Sequence, residues 1–155
     1  MKIYVLNKMT FDSLLKNLNI NNDNIEEQKS FFISINDTFS KNKPILENKS
    51  NVKVMYFDDV DKDINVPLIG GGVKLKAKAF TNEQAEELYD FIKNQKGKSS
   101  CIVHCSAGIS RSGAIGTFLC DYFNVNWFEF KKDNPHIHPN NHVLELLKKV
   151  HKESG

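Results

Sequence analysis

Four short apolar runs, each set apart from the next by a longer polar or amphipathic segment, dictate the architecture available to this chain: Lys2–Leu6, Phe31–Ile35, Val52–Phe57 and Ser100–His104. They are dense in Val, Ile and Phe and read as strands. Thr10–Leu18, Thr81–Lys96, Ser112–Tyr122 and Asn141–His151 carry apolar residues at helical spacing. Thr81-Asn82-Glu83-Gln84 has the form of a capping box, and the helix it opens turns Ala85, Leu88, Phe91 and Ile92 to one side. Short strands alternating with amphipathic helices predict an α/β fold with a central, mostly parallel sheet flanked by helices. At 155 residues, a single domain spanning 1–155 is expected, able to bury about two-thirds of its unfolded surface without disulfides or metal.

Asn and Lys crowd residues 19–29 and 40–51, which read as solvated loops or a short surface helix. Ile69-Gly70-Gly71-Gly72-Val73 reads as the turn of a hairpin whose second arm is Val73–Lys78, forming a flap beside the cleft. No Lys-Ser/Thr follows these glycines, as a nucleotide-binding loop would require. Lys74, Lys76 and Lys78 alternate as on a solvated strand face. Trp127, Phe128 and Phe130 are expected to pack the final helix onto the sheet.

Chemistry concentrates in Ile102-Val103-His104-Cys105-Ser106-Ala107-Gly108-Ile109-Ser110-Arg111-Ser112-Gly113. A strand leads into Cys105 and a helix follows Arg111, so the intervening loop lies where open α/β sheets bind ligands, at a helix N-terminus with free N–H groups. A thiol of ordinary pKa about 8.5 is drawn toward the thiolate by such a terminus and by a nearby cation. Ser106, Ala107, Gly108, Ile109 and Ser110 let the backbone curl so that several N–H donors point inward, and Gly108 permits a backbone angle that other residues resist. Arg111 can clamp two phosphate oxygens at once, which a lysine does less well. Ser112 offers its hydroxyl to the sulfur. The loop is a phosphate cradle with a nucleophile at its base.

His-Cys-Ser-Ala-Gly-Ile-Ser-Arg-Ser resembles the active-site signature of the cysteine-dependent protein tyrosine phosphatases, and Ala-Gly-x-Ser-Arg-Ser is most similar to their dual-specificity branch. His138-Pro139-Asn140-Asn141-His142-Val143-Leu144-Glu145-Leu146-Leu147 is similar to the segment opening the last helix of dual-specificity phosphatases, with His142-Val143 where Gly-Phe is usual. Low-molecular-weight tyrosine phosphatases carry a similar loop near the N-terminus; here it lies deep in the chain.

The resemblance implies hydrolysis through a phosphocysteine on Cys105, with Arg111 and the loop amides holding phosphate and Ser112 easing departure of the sulfur. It implies that His104 hydrogen-bonds the loop, and that an upstream aspartate acts as general acid. Phe57-Asp58-Asp59-Val60 matches the setting of that acid and assigns it to Asp59, with Asp58 as the alternative and Asp61 and Asp63 too far along. Asn140 reads equally as a helix N-cap and as a support of the phosphate loop.

Lysines within the loop mark phosphoinositide phosphatases of this superfamily. Its interior here is uncharged, so a phosphorylated protein is the expected partner, whether phosphotyrosine alone or phosphoserine and phosphothreonine too. The alternatives are a phosphatase of inositol phosphates or nucleotides, and a catalytically silent module that binds phosphorylated partners.

Basic residues exceed acidic ones by 21 − 19 = 2, not the imbalance of a nucleic-acid binder. Cys101, Cys105 and Cys120 lack metal-ligand spacing and suit a reducing compartment. Asp59-x-Asp61-x-Asp63 lacks the glycine and glutamate of a calcium loop. His136, His138 and His142 lack a cysteine or acidic companion to hold a metal. The run Met1–Lys8 is too short for a signal peptide and nothing approaches a membrane span. A cytoplasmic monomer without cofactor or metal is expected.

Overall fold

Parallel pairing of the four apolar runs builds the frame. The computed structural model describes residues 1–40, 43–67 and 74–155. In chain order the elements are β1 (Lys2–Asn7), α1 (Lys8–Asn17), a 3-10 turn (Ile25–Glu27), β2 (Ser30–Asn36), β3 (Val52–Tyr56), β4 (Ile64–Pro67), β5 (Lys74–Ala77), α2 (Asn82–Lys93), β6 (Ser100–Cys105), α3 (Arg111–Tyr122), α4 (Trp127–Asp133) and α5 (Asn141–Glu153). The main sheet has the order β1-β6-β2-β3, and its three pairings are all parallel. This is the α/β architecture that the phosphatase resemblance implies, with all four expected strands and all four expected helices in place.

Sheet order explains the composition of the strands. β2 lies inside, and Phe31 through Asn36 are all buried, the near-continuous pattern of a strand covered on both faces. β1 lies at an edge and alternates instead, with Ile3 and Val5 inward. On one face Phe11 and Leu15 of α1, with Ile20 and Ile25, pack over Phe32 and Val52. On the other, α2, α3 and α5 pack Leu88, Ile115, Phe118 and Leu147 against Ile33, Ile35 and Val103. Ile20, Ile25 and Leu46 are therefore core anchors, and the segments 19–29 and 40–51 are not simply solvated, as their Asn and Lys content suggested. Asn51 is fully buried there, donating from Nδ2 to the carbonyls of Ile25 (2.9 Å) and Ser30 (3.0 Å).

Helix starts follow the side chains available. Asn7 accepts from the Thr10 N–H at 2.7 Å, and Thr81 with Gln84 forms the expected capping box. Asn126 caps α4, a helix absent from the sequence reading, by accepting from Glu129 N–H at 3.0 Å. The expected packing of Trp127 and Phe128 is corrected. In this seven-residue helix only Phe130 points fully inward, while Phe128 is 81% exposed and Trp127 half-exposed against the Phe130 ring. The hairpin is present as antiparallel β4 and β5, with Ile64 opposite Ala77. Its glycine turn, Gly70–Gly72, lies outside the described residues.

The open edge of β1 is closed by side chains rather than by another strand. Asn134 accepts from Val5 N–H (2.8 Å) and donates to the Ile3 carbonyl (2.8 Å), and His136 Nε2 lies 3.0 Å from the Val5 carbonyl. Asn134 is buried, so truncating it leaves a buried donor and acceptor unpaired. Asn134→Ala is expected to lower stability by about 2–4 kcal/mol. Urea unfolding will show this as a lower midpoint at unchanged slope.

Candidate active site

Four parallel strands bring four carboxyl ends to one rim of the sheet, and the sequence places a polar residue at each: Asn7 ending β1, Cys105 ending β6, Asp37 after β2, and Asp58-Asp59 just beyond β3. Cys105 closes β6, between β1 and β2, so the loop that follows is walled on both sides. Lys8 N–H donates to the Ser106 carbonyl (3.2 Å) from one side. Farther along the loop, His138 N–H donates to Ile109 O (2.9 Å) and Asn140 N–H to Ser110 O (3.0 Å).

Gly108 turns this loop with φ +70°, and a Cβ there would run into the Leu6 carbonyl and the Asn7 amide. Glycine is required on both counts. The turn points its own N–H at Cys105, with Gly108 N 3.3 Å from Sγ. Ser112, in the first turn of α3, places Oγ 3.0 Å from the same sulfur. Cys105 is 2% exposed, held between a loop amide and a hydroxyl. The side chains of Ser106, Ala107 and Ile109 are exposed, leaving the backbone to face inward.

Arg111 opens α3 with its side chain buried. Nη1 donates to the Phe57 carbonyl beyond β3 (2.8 Å) and pairs with Asp37 Oδ1 (2.7 Å). Nε is buried and has no hydrogen-bond partner among the described residues. The guanidinium is thus anchored through one terminal nitrogen. Asp37 also accepts from Ser106 Oγ at 3.2 Å.

His104 lies beneath the loop against the Phe11 ring. Burial, the largest influence, pushes its imidazole down to about 4, outweighing the opposite pull of the Cys105 carbonyl. It is neutral at pH 7, and a proton on Nδ1 satisfies both of its contacts. Nδ1–H then faces the Cys105 carbonyl (3.3 Å) while Nε2 accepts from the Ser34 hydroxyl (2.6 Å), which itself accepts from Asn36 Nδ2 (3.2 Å).

The two adjacent aspartates diverge. Asp59 Oδ1 reaches the loop, accepting from Ser110 Oγ (2.8 Å) and from Asn140 Nδ2 (2.9 Å). Asp58 turns to the hairpin side, accepting from the N–H groups of Thr38 (3.0 Å) and Lys78 (2.8 Å). Burial works to raise the Asp58 carboxyl, but those two N–H donors, with the nearby Arg111 charge, hold it below the ordinary carboxylate value. Asn140 is the N-cap of α5, Oδ1 accepting from Val143 N–H (3.1 Å); its Nδ2 donates to Asp59 (2.9 Å), and it meets the loop only through its backbone N–H.

The other candidates stand apart from this cluster. Cys101 and Cys120 are buried free thiols, and burial pushes both upward. His136 and His142 contact the carbonyls of Val5 and Phe80, on different elements. Sequence reasoning missed Asp37, Ser34 and the Phe57 carbonyl. Asp37 directly follows a strand whose carboxyl end shares the rim with Cys105, an adjacency that only the sheet order reveals. Arg111 had a usable signal, as the only arginine among 21 basic residues.

No protein-family model matches the chain, and no curated protein matches it in sequence. Among solved structures, it is similar to the crystal structure of human tyrosine phosphatase-like serine/threonine/tyrosine-interacting protein. The TM-score is 0.45 at 17% identity, over 84% of this chain and 82% of that one. It is also similar to the crystal structure of PTPMT1 in complex with PI(5)P, with a TM-score of 0.49 at 17% identity, over 98% of this chain and 91% of that one.

Proposed function

We propose that the protein is a cysteine-dependent phosphatase that hydrolyses phosphotyrosine, and phosphoserine or phosphothreonine as the cleft admits them, in phosphorylated proteins. The observation that carries the reading is the buried Cys105 sulfur held between Ser112 Oγ and Gly108 N–H, at the start of a loop that ends in the chain's only arginine. A structural cysteine needs none of these neighbours.

The chemistry follows in two displacements. Cys105, as thiolate, attacks phosphorus in line with the leaving oxygen; the P–S bond forms as the P–O bond breaks. Loop amides and the Nε-bearing edge of Arg111 hold the non-bridging oxygens, and Asp59 gives its proton to the departing oxygen. Asp59, now a carboxylate, takes a proton from water as that water attacks phosphorus. The P–S bond breaks, and sulfur leaves as a thiolate held by Ser112 and Gly108. No step calls for a metal or cofactor.

The uncharged side chains around the loop, Ser106, Ala107, Ile109 and Ser110, favour a phosphoprotein over a polyphosphorylated small molecule. Three unpaired cysteines suit a cytoplasmic setting, and we extend the proposal to a monomer there. Among the described residues no helix is long and apolar enough to cross a membrane.

A generic aryl phosphate should be hydrolysed without added metal and with inhibition by vanadate; absence of turnover would overturn the reading. On a panel of phosphotyrosyl, phosphoseryl, phosphothreonyl, inositol and nucleotide phosphates, a phosphopeptide should be turned over best. A clear preference for inositol or nucleotide phosphates would overturn the substrate assignment alone.

The two aspartates separate by pH. A general acid must be protonated, so Asp59→Ala should erase the basic limb of the kcat profile and lower the maximum by about 10²-fold. Asp58→Ala should keep that limb and lose stability instead. Its folded-state carboxyl is held low, so its stabilisation is present above the ordinary carboxylate range and disappears as pH falls through the folded value. Thermal melts of this variant should accordingly converge with wild type in acid. Loss of the basic limb in Asp58→Ala alone would reverse the assignment.

A further inference from the structure

We propose that Asp37 is a positioning residue for phosphate capture, setting the orientation of Arg111 and tying it to the opposite end of the loop. The inference rests on the phosphatase reading and adds a residue to it.

Three observations converge on this carboxylate. Oδ1 pairs with Arg111 Nη1 at 2.7 Å, while Oδ2 accepts from Ser106 Oγ at 3.2 Å. Arg111 is the last residue of the cradle and Ser106 directly follows the nucleophile, so one side chain bridges both ends of the loop. The second observation is which nitrogen is used. Asp37 and the Phe57 carbonyl both engage Nη1, and Nε, buried in a residue 5% exposed, has no partner among the described residues. A buried, unpaired guanidinium nitrogen is costly unless a ligand completes it. A carboxylate competing with phosphate for the arginine would occupy the Nε-bearing edge; Asp37 leaves it open.

The third observation is where Asp37 is attached. It directly follows β2, in the sheet interior, and Asn36 and Ser34 of that strand are buried and hydrogen-bonded through to His104. The carboxylate therefore sits on a rigid element. An exposed ion pair contributes little by itself, but this pair holds a buried guanidinium whose direction decides whether two phosphate oxygens can be gripped together. Lost orientation costs rate more than ground-state affinity, because the grip tightens as charge spreads in the transition state.

The test uses the whole chain and three proteins: wild type, Asp37→Ala and Asp37→Asn. With a generic aryl phosphate, Asp37→Ala should lower kcat by about 10²-fold with a smaller change in KM. Vanadate, a mimic of the transition state, should bind Asp37→Ala more weakly by a similar factor. Asp37→Asn keeps an oxygen acceptor for Nη1 and should recover most of both losses, a rescue that a purely structural role would not give in kcat at equal folded fraction. The Asn variant also serves if the Ala variant fails to fold.

Values for Asp37→Ala within twofold of wild type in kcat and vanadate affinity would overturn the inference, as would an Asn variant no better than Ala. Raised activity in Asp37→Ala would overturn it too, by showing that the carboxylate competes with substrate. Absence of turnover in wild type would instead defeat the phosphatase reading. Calorimetric titration with vanadate would still test Asp37 in that event, with unchanged affinity in Asp37→Ala overturning its role.

Discussion

Replacing Cys105 by serine is expected to abolish turnover, lowering kcat by about 10⁵-fold. Serine preserves the size and polarity of the side chain, so Ser112 and the Gly108 amide keep a partner and the loop keeps its shape. What disappears is the nucleophile: a hydroxyl does not ionise near neutral pH, and among the described residues the side chain hydrogen-bonded to Cys105 Sγ is the Ser112 hydroxyl, which is no base. His104, the nearest imidazole, is buried, neutral and committed to Ser34 and the Cys105 carbonyl. The variant should therefore bind vanadate or a phosphopeptide while failing to turn it over. Activity retained by Cys105→Ser would remove the mechanism at its root.

Replacing Arg111 by lysine is expected to lower kcat by about 10³-fold, although the charge is unchanged. The guanidinium does two things at once: Nη1 is fixed by Phe57 and Asp37 while Nε, on another edge, is buried without a partner among the described residues. A lysine has a single nitrogen at its tip. If it satisfies Asp37 and Phe57 it does not grip phosphate in a fork, and if it reaches phosphate it abandons a buried carbonyl and a half-buried carboxylate. Steady-state kinetics on an aryl phosphate, with a thermal melt to confirm folding, measures the loss. A Lys variant within tenfold of wild type would mean that charge alone suffices and that the fork is not used.

Much of this was legible in the sequence because the relevant signals are local. Strands declared themselves through apolar density, and α2 and α5 through an inward face and a capping residue. The Cys105–Ser112 loop was legible because small residues between a strand and a helix, ending in arginine, meet few purely structural needs. The preference for Asp59 over Asp58 came from the resemblance of Phe57-Asp58-Asp59-Val60 to the family's acid setting. The structure adds that Asp58 is occupied by backbone amides while Asp59 faces the loop.

What stayed hidden depends on contacts distant in sequence. Asp37 sits between Asn36 and Thr38, where an aspartate reads as an ordinary turn residue; its partners Ser106 and Arg111 become neighbours only when β2 and β6 pair. Asn134 looks like a helix-ending asparagine, and its service to the β1 edge spans most of the chain. α4 escaped notice because so short a helix offers a single fully buried apolar position, too few to show a period. Trp127 and Phe128, taken as packing residues on hydrophobicity alone, face outward for the same reason.

The central claim is that phosphate passes through Cys105. Its most direct test is single-turnover reaction with a labelled aryl phosphate bearing a good leaving group, quenched in acid and digested. Label is expected on the peptide containing Cys105, appearing with the burst of phenol and decaying as inorganic phosphate is released, with no label in Cys105→Ser. Turnover without label on that peptide, or label and turnover that survive in Cys105→Ser, would contradict it.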